Sequence, residues 1–176
     1  MHPVEVKTAL ESMVILVDSR EQDTPRLRAR LHQMGVPYER CKLDFGDYSV
    51  KCDRLSLANS VTVERKMSID ELCNCYCKDR GRFEREFERA KAAGAKIILM
   101  VEGATWEDIY GGKYRSKMKP QSLVASILAW QTRYDCQIFF CKPTTTGLLI
   151  KDTLQRELKE RLEKMPDEEI QGNPYT

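Results

Sequence analysis

Val61-Thr62-Val63-Glu64-Arg65-Lys66, followed after Met67 by Ser68-Ile69-Asp70-Glu71, is the stretch on which the fold turns. The first six residues are short, continuous and rich in β-branched side chains, which predicts a strand. Ser68 with an acid three positions on is a helix start signal. Side chains alternate along a strand, so Glu64 and Lys66 share one side and Arg65 takes the other. A buried strand that ends in a carboxylate and an amine on one face, then runs into a helix, is an element of an α/β layered domain.

Working outward toward the N-terminus, Met13 to Val17 reads as a strand buried on both faces and ending at Asp18-Ser19-Arg20-Glu21. A helix is predicted from Pro25 to about Met34, with Gly35 as its stop. Tyr38 to Leu43 reads as a strand, Asp44-Phe45-Gly46-Asp47 as a turn, and Tyr48-Ser49-Val50 as the next strand. Toward the C-terminus, Phe83, Phe87 and Ala90 mark one face of a helix ending near Gly94. Lys96 to Val101 is a second strongly buried strand. Pro120 to Tyr134 is a helix carrying Leu123, Ile127, Leu128 and Trp130. Gln137 to Cys141 is a last strand, and Thr144 to about Lys164 a last helix with Leu148, Leu154, Leu158 and Leu162. The tail, 166–176, is acidic and then polar, as in a frayed end. The expected architecture is one α/β domain over 1–176, with its core at about 13–142. It has a mixed central sheet flanked by helices on both faces. The basic loop Gly111 to Lys119 is the expected mobile segment.

The 176 residues, 41% hydrophobic and 32% charged, have an ordinary globular composition. No apolar run nears the ~20 residues that cross a bilayer. Met1-His2-Pro3-Val4-Glu5 lacks the basic and apolar regions of a secretory signal. The expected setting is intracellular, cytoplasmic or nucleoid-associated, with no membrane partner. Lys and Arg number 29 against 27 Asp and Glu, a net of +2, so local clustering decides more than the sum. Seven cysteines without a signal read as reduced thiols. Cys73, Cys75 and Cys77 lack the CxxC pairs of a zinc site and read as small buried hydrophobes. His2 and His32 read as exposed.

The chemistry gathers at strand ends: Asp18 and Glu21 after the first strand, Asp47 after a glycine turn, Glu64 and Lys66 at the end of theirs. Two carboxylates ~4 Å apart repel by about 4 kcal/mol at an effective dielectric near 20. Left alone, one takes up a proton. A Mg²⁺ ion between them removes that cost and suits hard oxygen ligands. It also polarises a phosphate oxygen and acidifies its bound water. Lys66 is placed to orient that water or to stabilise charge developing on the phosphate. Bland readings stand beside these. Asp18 and Glu21 suit the start of the helix at Pro25. Asp70 suits the first turn of its own helix, and Arg65 suits an ion pair below the sheet. Lys113-Tyr114-Arg115-Ser116-Lys117-Met118-Lys119 has four cations in seven residues with a tyrosine. It reads as a solvated loop or as a phosphate-tracking one.

Gly46-Asp47 followed by Glu64-Arg65-Lys66-Met67-Ser68-Ile69-Asp70 resembles the GD…ERKxxxD signature of the XPF/Hef nuclease family, a branch of the PD-(D/E)XK nucleases. Val17-Asp18-Ser19-Arg20-Glu21 is similar to the family's VDxRE, and Asp79-Arg80-Gly81-Arg82-Phe83 to its DGR segment, with an extra arginine. The family's Glu-Gln after GR is Arg85-Glu86 here. The resemblance covers roughly Val14 to Cys141 and implies a restriction-endonuclease-like fold.

The activity implied is Mg²⁺-dependent hydrolysis of DNA phosphodiesters, with Mn²⁺ able to substitute. The products carry 5′-phosphates, and the substrates are flaps, forks or junctions met in repair, recombination or replication. Carried over by the resemblance, Asp47 and Glu64 are metal ligands and Lys66 the catalytic lysine, with Asp18 and Glu21 acids of the same site. Arg65 and Asp70 are supporting catalytic residues, and Arg20 and Arg82 contact DNA with Lys113, Tyr114, Arg115, Lys117 and Lys119. The Trp130 helix and the Phe139-Phe140 strand read as core or as a dimer face, and the resemblance implies homodimerisation through this region. Members often carry a tandem helix-hairpin-helix domain, which nothing after Lys142 resembles, so a separate DNA-binding partner is a further expectation. The alternatives are a restriction-like or single-strand nuclease on the same fold, and a non-catalytic DNA-binding subunit.

Overall fold

The computed structural model describes residues 1–166. The tail expected at 166–176 lies, but for Pro166, outside the described residues. Six strands form one sheet: β1 (Val14–Asp18), β2 (Tyr38–Cys41), β3 (Tyr48–Lys51), β4 (Val61–Lys66), β5 (Lys96–Glu102) and β6 (Ile138–Cys141), in the order β2-β1-β3-β4-β5-β6. β1 pairs parallel with β2, β4 with β5, and β5 with β6, whereas β3 pairs antiparallel with both β1 and β4. So β3 runs against the other five. Its first residues therefore lie beside the C-terminal ends of β1 and β4, and this reversal builds the site.

Helices cover both faces, as the sequence predicts. α1 (Pro3–Glu11), α2 (Pro25–Met34) and α7 (Thr146–Glu163) pack on one face over Ile15, Val17, Tyr48, Val50, Val61, Val63, Ile98 and Met100. α3 (Ile69–Tyr76), α4 (Arg80–Ala92), α5 (Trp106–Tyr110) and α6 (Pro120–Tyr134) pack on the other over Ile97, Leu99 and Val101. The strands are thus buried on both sides, which explains their near-continuous apolar character. Strand alternation carries the division to the strand ends. Arg65 falls on the α2 face with Val61 and Val63, and Glu64 and Lys66 fall on the α4 face.

Local signals fix the helix ends. Thr24 accepts from the Leu27 amide, Pro25 follows it, and Gly35 closes α2 at φ 63°. Ser68 accepts from the Glu71 amide, but the Glu71 carboxylate turns back to the Met67 amide at 2.8 Å, one residue outside the expected reciprocal pair. In α7 the buried members are Ile150, Leu154, Leu158 and Leu162. Leu148 is exposed, contrary to expectation, because two residues from Ile150 is the opposite side of a helix. Cys73 and Cys75 are buried, while Cys77, where α3 ends, is exposed; all seven cysteines are free. No helix among the described residues is long and apolar enough to cross a membrane.

Candidate active site

The Asp47 amide donates to Val63 O, and the Asp18 amide donates to Asp47 O, each at 2.8 Å. These bonds lash the start of β3 between the ends of β4 and β1. One carboxylate oxygen of Asp47 then accepts the Arg65 amide at 2.8 Å. Gly46, at φ +64°, makes the approach possible: a Cβ there would lie 2.8 Å from the Thr62 hydroxyl oxygen. The Gly46 amide donates to Glu86 on α4 at 3.0 Å, so the glycine turn is held from both sides.

A cleft of about 380 Å³ opens at this end of the sheet, lined by Asp18, Glu21, Asp47, Glu64 and Glu86 among others. Glu64 is buried, and its Oε1 accepts from the Lys66 ammonium at 2.5 Å. Burial, then the Glu64 and Glu21 charges, push the Asp47 carboxyl well above the usual carboxylate range. Burial also raises Glu64, against the pull of Lys66. Burial opposes the charge on Lys66, but the Glu64 carboxylate more than offsets this and keeps the ammonium protonated. The Lys66 Nζ also lies 5.3 Å from the centre of the Phe83 ring.

The described residues hold no preformed cluster of three metal-ligating side chains. The donor set nevertheless fits a hard divalent cation. Four acids, Glu21, Asp47, Glu64 and Glu86, face one polar space, and burial, then neighbouring carboxylates, raises two of them, Asp47 and Glu64. Asp18 lines the same cleft but is engaged by Arg20. Its two oxygens take the Arg20 amide at 2.7 Å, the Arg20 guanidinium at 2.9 and 2.5 Å, and the Leu43 amide at 3.3 Å. It lines the cleft as the anchor of Arg20.

Two further expectations are corrected. Arg65 points through the other face to Glu102 at 3.4 Å, the bland ion-pair reading, and only its backbone serves Asp47. Asp70 lies outside the cleft. It accepts the Arg115 and Ser116 amides, each at 2.8 Å, and the Arg115 side chain at 3.2 Å. It thereby pins the loop expected to be mobile, and Tyr114 closes that loop with a bond to Met118 O at 2.9 Å. Asp70→Ala should free the loop, so that trypsin cuts at Arg115 and Lys117 much faster while the cleft residues keep their places. Equal trypsin rates for both proteins contradict this role.

Arg82 and Arg20, the expected DNA contacts, line the cleft, with the Arg20 guanidinium held by Asp18. Lys113 pairs with Asp108 at 3.4 Å, and Lys117 and Lys119 are exposed, so the basic loop stands apart from the carboxylates. Glu86, Arg85 and Arg89 are additions that the sequence reading did not assign to the site. Their signal was present: Arg82, Arg85, Glu86 and Arg89 recur at helical spacing opposite Phe83, Phe87 and Ala90.

A family model described as the ERCC4 domain matches residues 17–151. The fold is similar to that of XPF from Aeropyrum pernix, at TM-score 0.63 and 24% identity over 93% of this chain and 68% of that one. It is also similar to XPF from Aeropyrum pernix in complex with DNA, at TM-score 0.59 and 26% identity over 88% and 68%. No curated protein matches. The expected restriction-endonuclease-like α/β fold of an XPF-type nuclease domain is therefore present.

Proposed function

We propose an activity for this chain on one premise: it belongs to the ERCC4 domain family. The proposed activity is metal-dependent endonucleolytic hydrolysis of DNA phosphodiesters, with branched duplexes as substrates in repair, recombination or replication. The observation that carries it is the meeting of Asp47 and Glu64 in one cleft, with the Lys66 ammonium on Glu64 at 2.5 Å.

Asp47 and Glu64 would hold Mg²⁺ or Mn²⁺, with Glu21 or Glu86 completing the oxygen set. When bound, such an ion supplies Lewis acidity toward a phosphate oxygen and a lowered pKa for its water. The residues do the rest. Lys66, kept protonated, has no lone pair with which to take a proton, so it acts as a fixed positive donor. It restrains Glu64 and faces the charge that grows on the phosphate. Arg82 and Arg20, at the rim, hold the strand. Water adds its oxygen to phosphorus, the P–O3′ bond breaks, and a proton passes to the leaving oxygen. The products are a 5′-phosphate and a 3′-hydroxyl.

The test is cleavage of labelled flap, fork, junction, plain duplex and single-stranded DNA, with Mg²⁺ and with chelator. Cleavage of the branched substrates that chelator abolishes is expected. Binding without cleavage under every metal condition contradicts the enzyme reading, and preference for plain duplex or single strand moves it to another nuclease class.

Homodimerisation belongs to the same proposal. Trp130 is core, not interface. The half-buried edge strand β6 and the exposed Leu128 on α6 leave a face for a second copy. Light scattering should give about twice the 20.4 kDa of the chain, and a monomer at micromolar concentration removes the idea. A separate DNA-binding protein would add duplex grip, and the proposed setting is intracellular.

A further inference from the structure

Beyond Arg20 and Glu21 the carboxylate cleft gives way to a second groove of about 450 Å³. Arginines dominate its lining: Arg20, Arg26, Arg30 and Arg65. Their charges do not balance locally. Arg20 is matched by Asp18. Arg30 and Arg65 share one buried carboxylate, Glu102, at 3.5 and 3.4 Å. That trio carries one net positive charge, on which Asp47 and Glu21 act from the cleft side, and the buried Arg30 also donates to the Tyr48 hydroxyl at 2.7 Å. Arg26 is exposed and, among the described residues, meets only the Met67 sulfur, at 4.0 Å. The one acid lining the groove, Glu21, sits on the ridge shared with the cleft.

One atom adds an independent sign. The Arg65 Nε is buried and has no hydrogen-bond partner among the described residues. A buried guanidinium N–H without an acceptor is costly, and surplus charge beside it adds to the cost. The group that answers both is an oxyanion able to take several N–H bonds at once. The N-terminal turn of the ten-residue helix α2 borders the same groove through Thr24, and its dipole favours an anion there.

We infer that this groove binds a backbone phosphate of the substrate strand on the Glu21 side of the cleft. The inference rests on the nuclease reading and deepens it: the strand would leave the carboxylates over Arg20 and lay its next phosphate against the exposed Arg26, with the Arg30–Arg65 pair adding positive potential behind it. Glu21, on the ridge, lines both spaces and so separates the scissile phosphate in the cleft from the phosphate in the groove.

The test is polarisation binding of a fluorescent single-stranded oligonucleotide, in chelator and across a range of KCl, by wild type, Arg26→Ala and a Lys7→Ala control on the far helix α1. Arg26→Ala should bind several-fold more weakly, with the slope of log affinity against log salt shallower by about 0.7, one single-strand phosphate contact. Lys7→Ala should match wild type. Unchanged affinity and slope in Arg26→Ala, with DNA still bound and cut, overturn the groove and leave the nuclease reading standing. Wild type that binds no oligonucleotide overturns both. Inorganic phosphate that raises the melting temperature of wild type but not of Arg26→Ala, while both bind the oligonucleotide equally, marks a free-anion site and overturns the strand assignment.

Discussion

Asp47→Asn should lower the single-turnover cleavage rate by about three orders of magnitude or more, the scale seen when one member of an interdependent catalytic set is removed. Asn keeps the shape of the side chain and an oxygen for the Arg65 amide, so the lashing of β3 to β4 survives. DNA binding should stay near the wild-type value. The variant should also unfold at a higher temperature than wild type in chelator at neutral pH, and the sign follows from linkage. Burial and the neighbouring acids raise the Asp47 carboxyl above its ordinary value. A group with a raised folded value contributes stability at low pH that is lost as pH rises through that value. Metal-free wild type should therefore lose stability as pH rises above the ordinary carboxylate range and through the raised Asp47 value, and Asp47→Asn should lose less. Mg²⁺ should restore the wild type and leave the variant almost unmoved. Cleavage at the wild-type rate by Asp47→Asn places the chemistry elsewhere.

Glu102→Ala should cost about 3–5 kcal/mol of folding stability, the range for breaking a buried ion pair and stranding its partner. Here two guanidiniums, Arg30 and Arg65, lose their shared carboxylate at once. For a chain of this size that corresponds to a fall in melting temperature of roughly 6–20 °C. Glu102→Gln keeps acceptor geometry and should lose less. The comparison separates the two roles read for Arg65. If its side chain is structural, these variants change stability first, and the folded fraction still cleaves. If it acts in the reaction, Glu102→Ala should depress cleavage with stability intact.

The sequence exposed what strand alternation and turn chemistry encode. Glu64 and Lys66 on one face, Arg65 on the other, and Asp47 behind a required glycine all follow from a period of two and one positive φ. The strands and the long helices were legible because burial on both faces leaves continuous apolar runs, and Pro25, Gly35 and Pro120 punctuate the helices. What was missed depends on contacts distant in sequence. α1 was not predicted, because its stability comes from docking on α7, more than a hundred residues away. α5 is five residues long, too short to show a period. Glu86 joins the site only because α4 crosses the glycine turn, a tertiary fact. Asp70 was read into the site from its place in a motif, but on α3 it faces the basic loop and is consumed by three donors there. Asp18 shows the same limit: the sequence shows that it is near the site, and only the fold shows that Arg20 bonds it there.

The most direct test of the account is anomalous diffraction from crystals of the chain soaked in Mn²⁺. The account predicts a peak bonded at about 2.1–2.3 Å to carboxylate oxygens of both Asp47 and Glu64, absent in Asp47→Asn. A peak that touches neither residue, in a protein that cleaves DNA with Mn²⁺, would contradict it.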